Sequence, residues 1–181
     1  MTGDGPAPRA PRVALIVEHD FDEGQVQQVC EALRAADLEV VVVGPVAGTE
    51  YRGLAGAVVT AELAAARARM TDFDGLVIPG GHAPDRMRLR HAIVDLVREA
   101  IAAGKPVAAI GHGPQLLISA NAVRGRAITC WPSIAIDVKN AGGLYADRPL
   151  LEDGPLLTAR KSDDVPALAA ALVRRLAPRG T

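Results

Sequence analysis

The chain has 181 residues, enough for one domain with a proper core, and its 49% hydrophobic and 23% charged residues are ordinary for a soluble globular protein. A formal net charge of −1, scattered basic residues and an aromatic content of 3% leave no electrostatic or base-stacking case for a nucleic-acid partner. No apolar run approaches the roughly 18–20 residues that a bilayer span needs, so no membrane partner is expected either.

The Gly- and Pro-rich residues 1–11 carry no hydrophobic signal region and read as a disordered tail. A domain is expected over residues 12–176, followed by a short tail at 177–181. Two cysteines, Cys30 and Cys130, make no disulfide framework and no metal-type spacing, which fits a reducing, cytoplasmic setting. "RVALIV" (12–17) is a β-branched apolar run, the signature of a strand buried on both faces. "EGQVQQVCEALRAADL" (23–38) places Val26, Val29, Cys30 and Leu33 at helical spacing. "EVVVVG" (39–44) is a second buried strand, and "FDGLVIPGG" (73–81) another that runs into Gly80-Gly81. "RHAIVDLVREAIAAG" (90–104) reads as a helix, "KPVAAIG" (105–111) as a strand, and "GPQLLISANA" (113–122) as a helix with Pro114 in its first turn. "PLLEDGPLLTA" (149–159) suggests two short strands about Asp153-Gly154, and "SDDVPALAAALVRRL" (162–176) a closing helix capped by Ser162 or Asp163.

Buried strands alternating with helices predict an α/β fold, a doubly wound three-layer sandwich with a mostly parallel sheet between helices. Sites in such sheets form beyond the carboxyl ends of the strands. "EHDFDEG", "PGGHAPD" and "GHGP" end three strands on one rim, so Glu18, His19, Asp20, Asp22, Gly80, Gly81, His82, Gly111 and His112 are the candidate site residues. Gly111 is a turn glycine or a place where a ligand approaches the main chain. Gly80-Gly81 is a tight turn or a pair of backbone donors aimed at an oxyanion. His112 is an acid or base near neutral pH, or a histidine bonded to a neighbouring loop or subunit. The histidines match no zinc spacing, so no metal is expected, and Cys130 reads as a small buried hydrophobe. The chain carries no phosphate-binding loop and no dinucleotide fingerprint, so no cofactor is expected.

Four strings, "FDGLVIPGGHAPDRMRL", "GKPVAAIGHGPQLLISA", "RGRAITCWPSIAIDVKNAGG" and "TARKSDDVPAL", resemble the DJ-1/PfpI superfamily, nearest its PfpI-like intracellular-protease branch. The resemblance spans roughly residues 12–176 and implies a flavodoxin-like sandwich that self-associates into dimers or hexamers. Members usually carry a cysteine where this chain has Gly111, and a partner glutamate where an ungapped alignment places Gln25. Gly81 matches a backbone donor facing that sulfur, Trp131 an aromatic or histidine lining the pocket, and His112 the histidine after the cysteine. Asp85 matches the carboxylate that a neighbouring subunit offers to that histidine. The resemblance with these changes implies two readings. The first is a cysteine-independent hydrolase or lyase, neither a cysteine protease nor a deglycase. It would act on a small carbonyl-type metabolite by general acid–base catalysis (hydrolysis, elimination or isomerisation), with His112, Asp22 and Gln25 as catalytic groups. The alternative is a non-catalytic, small-molecule-binding pseudoenzyme or assembly subunit using the same pocket. The polar, acidic rim favours the first.

Overall fold

The computed structural model describes residues 9–177; residues 1–8 and 178–181, and with them most of both expected tails, lie outside the described residues. The elements follow in chain order as β1 (Arg12–Ile16), α1 (Glu23–Ala35), β2 (Glu39–Gly44), β3 (Glu50–Arg52), β4 (Val58–Thr60), β5 (Leu63–Ala64) and β6 (Gly75–Ile78). After them come α2 (Ala83–Met87), α3 (His91–Ala102), β7 (Val107–Ile110), α4 (Pro114–Ser119), β8 (Ala127–Ile128), α5 (Ala135–Asn140), β9 (Leu144–Tyr145), β10 (Leu150–Asp153), β11 (Leu156–Ala159) and α6 (Val165–Leu176).

Seven strands form one sheet in the order β10-β11-β7-β6-β1-β2-β5, parallel throughout except for the antiparallel edge pair β10–β11. The apolar runs that predict buried strands are buried here: Val13–Val17, Leu76–Ile78 and Val107–Ile110 have no measurable exposure. Each such Val, Leu or Ile contributes about 1.5–3 kcal/mol through burial. Helices α1 and α6 pack together on one face, and α3 and α4 on the other, so the mostly parallel sheet lies between two helical layers.

The chain runs from β1 outward to β2, then returns to lay β6 on the other side of β1. That reversal opens a crevice beyond the carboxyl ends of β1 and β6, the place where open α/β sheets bind ligands.

Several element ends differ from the sequence expectation, each for a local reason. Helix α1 stops at Ala35, because Asp37 turns to φ 58° and the Asp37 and Leu38 N–H groups bond back to Arg34 and Leu33. Helix α4 stops at Ser119, with Asn121 at φ 57°. The closing helix is not capped by Ser162 or Asp163: residues 162–164 form a 3-10 turn, and Asp164 stands at the cap position with its carboxylate held by Arg160. The short β3–β4 hairpin and the parallel β8–β9 pair were not expected from the sequence pattern. Among the described residues no helix is long and apolar enough to cross a membrane.

Candidate functional site

Two loops are stitched together at the crevice. The β1–α1 loop and the β6–α2 loop meet in an isolated bridge between Phe21 and Gly81. Asp22 N donates to Gly80 O at 3.2 Å and His82 N to Asp20 O at 2.8 Å. Phe21 anchors the first loop by burying its ring in the core, and Asp20 accepts a left-handed backbone at φ 68°. This pairing pattern leaves the Gly81 N–H without an acceptor among the described residues.

Gly111 follows β7 and turns at φ 61°, its own N–H donating to Ala159 O at 2.9 Å. Its carbonyl accepts from Trp131 N at 2.9 Å, which brings the residues after β8 over the turn. The next N–H, that of His112, also lacks an acceptor among the described residues. Asp22, Gln25, Leu54, Gly81, His82, Gly111, His112 and Trp131 thus line an open cavity of about 280 Å³.

Each expected residue has a definite place there. Gln25, 4% exposed, reaches up from α1 and accepts the Gly80 N–H on Oε1 at 2.7 Å. Asp22 caps α1: Oδ1 accepts from Gln25 N at 3.0 Å and Oδ2 from Ser162 Oγ at 3.3 Å. His112 Nε2 lies 3.3 Å from Ser133 Oγ, and its ring stacks on Trp131 at 6.2 Å between centroids. Desolvation, reinforced by the nearby His82, pulls the His112 imidazole below the ordinary histidine range and holds it neutral at pH 7. His112 and His82 also border a second cavity of about 580 Å³ together with Asp20, Asp85 and Arg86.

Other rim residues are spent on structure. Glu18 is buried, with Oε1 on the His19 N–H and Oε2 paired with Arg90 at 3.2 Å. His19 accepts from Arg52 N at 3.1 Å and packs on Tyr51, which docks β3. Asp20 holds Arg86 through Nε at 2.9 Å. Neither cysteine supplies a thiolate: burial raises the Cys30 thiol, and burial with Asp137 nearby pushes Cys130 up to about 12.

The sequence reading missed Leu54. It sits in the β3–β4 turn, half exposed, and forms the cavity wall because its N–H bonds to Phe21 O at 3.0 Å. Glu23 secures that turn by accepting the Ala55 and Ala57 N–H groups. The one visible signal was a leucine isolated in a Gly-Leu-Ala-Gly turn (53–56).

Residues 11–175 match the DJ-1/PfpI family. The chain belongs to the DJ-1/PfpI family. Among its DJ-1/PfpI relatives, protein/nucleic acid deglycase 2 of Escherichia coli is 38% identical over 91% of this chain and 97% of its own length. A deglycase of Pyrococcus abyssi is 35% identical over 91% of this chain and 99% of its own. A crystal structure of a two-domain Anabaena variabilis protein with DJ-1/ThiJ/PfpI-like and ferritin-like domains superposes with a TM-score of 0.90 at 38% identity. The match covers 92% of this chain and 48% of that one. These relatives correct one expectation from the sequence. A cysteine-independent hydrolase or lyase that is not a deglycase was expected, yet proteins matching nine tenths of the chain bear the name deglycase.

Proposed function

We propose that this DJ-1/PfpI chain receives a small carbonyl compound, or a carbonyl adduct of the class a deglycase acts on, in the cavity over Gly111. The ligand is held without a covalent bond to residue 111. One observation carries the reading: the Gly81 and His112 N–H groups lack acceptors among the described residues, and both residues line the cavity at the switch point of the sheet. Two such donors suit a carbonyl or tetrahedral oxygen. Gly111 brings no side chain into that space, and on the family resemblance it stands where a cysteine is usual. Trp131 and Leu54 offer apolar walls for the carbon frame of the ligand.

The experiment uses the hemithioacetal of methylglyoxal and N-acetylcysteine, labelled with ¹³C and followed by NMR in the presence of the protein. Saturable broadening of the adduct resonances, with the adduct otherwise unchanged, supports binding. Protein-dependent loss of the adduct makes the chain a deglycase-type catalyst in its own right. Absence of any saturable interaction overturns the proposal.

A further inference from the structure

The Gln25 carboxamide has one end fixed and the other free. Oε1 must face the Gly80 N–H, because the amide nitrogen in that place would set two donors against each other at 2.7 Å. That choice orients Nε2 toward Gly111: a Cβ built on Gly111 would lie 3.3 Å from Nε2 and 3.9 Å from Oε1. Nε2 has no acceptor among the described residues, while every fully enclosed side-chain nitrogen or oxygen there has a partner. The residue is 96% removed from solvent, given its 4% exposure, so the opening left to Nε2 is the cavity that Gln25 lines.

We propose that Gln25 is a ligand-contacting, specificity-determining residue whose Nε2–H selects a neutral sp² oxygen, that of a ketone, aldehyde or amide, in the cavity over Gly111. This rests on the binding function proposed above and adds which atom of the ligand is read, and by what. Nε2 opens on the cavity with no protein partner among the described residues, so a ligand that supplies an acceptor gains a bond there and one that presents a second donor meets a repulsion. Charge decides between acceptors. The groups facing the cavity are Asp22 from the start of α1, and His82 and neutral His112 from the two turns. The Arg160 backbone carbonyl stands 3.7 Å from the same built Cβ, but its guanidinium is taken up by Asp147 and Asp164. With a carboxylate on the wall and no free cation facing it among the described residues, the site favours a neutral carbonyl over an anion.

Gln25→Glu is the informative change. Glutamate keeps an oxygen for the Gly80 N–H, so the turn stays anchored, and it replaces the free N–H by a carboxylate oxygen. Pyruvamide, a stable neutral carbonyl compound, serves as the probe, titrated by calorimetry into the wild type and Gln25→Glu between pH 5 and 8. At pH 8 the variant is expected to bind at least tenfold more weakly. It should regain affinity as the pH falls and its carboxyl takes up a proton to become a donor again. The wild type, measured in parallel, separates the pH dependence of the introduced carboxyl from that of the rest of the cavity. In the wild type the Gln25 side-chain ¹H–¹⁵N resonances should shift on saturation. Equal binding by the variant at pH 8, or unmoved Gln25 resonances, overturns this assignment while leaving the binding proposal standing. Failure of the wild type to bind any carbonyl probe overturns both.

Discussion

Two glycines frame the cavity, and they answer to different demands. A Cβ on Gly81 would overlap the Asp20 carbonyl oxygen and stand 2.7 Å from the Asp22 nitrogen, so its rivals are main-chain atoms that cannot yield. A Cβ on Gly111 would meet first the end of the Gln25 side chain at 3.3 Å, then the Arg160 carbonyl at 3.7 Å. Both turn through positive φ, 80° and 61°, a region that non-glycine residues enter at a modest cost. Gly81 is demanded by the fold, since two loops cross there. Gly111 is held less tightly: its first rival is the end of a side chain, which can give by a few tenths of an ångström, and its second stands at ordinary van der Waals distance.

The sharpest way to break that contrast is alanine at each position. Gly81→Ala should cost on the order of 3 kcal/mol or more, from backbone overlap added to left-handed strain. Urea denaturation reads this, and a loss below about 1 kcal/mol would show that the stitched loops can part. Gly111→Ala should cost about 1–2 kcal/mol, mostly backbone strain. It should weaken carbonyl-probe binding far more than it weakens the fold. Gly111→Cys should behave alike in stability and expose one thiol that reacts with a disulfide reagent in the native state. The wild-type thiols, both buried and both shifted upward, should react only on unfolding.

Next in size is Asp22→Ala, which removes the α1 cap and should cost about 1 kcal/mol by thermal unfolding. An equal loss of stability with undiminished probe binding would confine Asp22 to the helix. The smallest effect concerns His112. Its folded-state imidazole titrates lower than in the unfolded chain, so the unfolded chain binds the proton more readily. The stabilisation is therefore fully present above the ordinary histidine value of about 6.5 and is lost as the pH falls toward the lower folded value. Comparing melting temperatures of wild type and His112→Asn from pH 7.5 to 5 should show a flatter profile in the variant. An NMR midpoint for His112 at or above the ordinary value would refute the sign.

Much of this frame is legible in the residues themselves. Val13–Val17, Leu76–Ile78 and Val107–Ile110 announce buried strands because they are short, charge-free apolar runs, two of them running into glycine turns. Placing three strand ends on one rim then needs only the topology of a parallel sheet. The details that resisted are those set by distant partners. Asp37 and Asn121 end helices through backbone angles that their neighbours in sequence do not reveal. The β3–β4 hairpin consists of two three-residue strands whose hold comes from Glu23 and His19, more than thirty residues away. "DEGQ" (22–25) looks like a reciprocal capping box, and Asp22 does cap. Gln25 instead spans to Gly80, 55 positions on, and that bond alone decides which end of the amide faces the cavity.

The bridge between Phe21 and Gly81 also joins parts of the chain that are far apart in sequence. The cavity borrows residues near positions 22, 54, 81, 111 and 131, so no short segment of the chain contains it, and it needs the parallel pairings of β1, β6 and β7 that set those loops side by side. A molecule that fits the cavity therefore recognises the finished chain alone. At a hundred times its dissociation constant it would add about 2.7 kcal/mol to global stability. Hydrogen exchange across all three strands, rather than in any one loop, would slow together when the ligand is found.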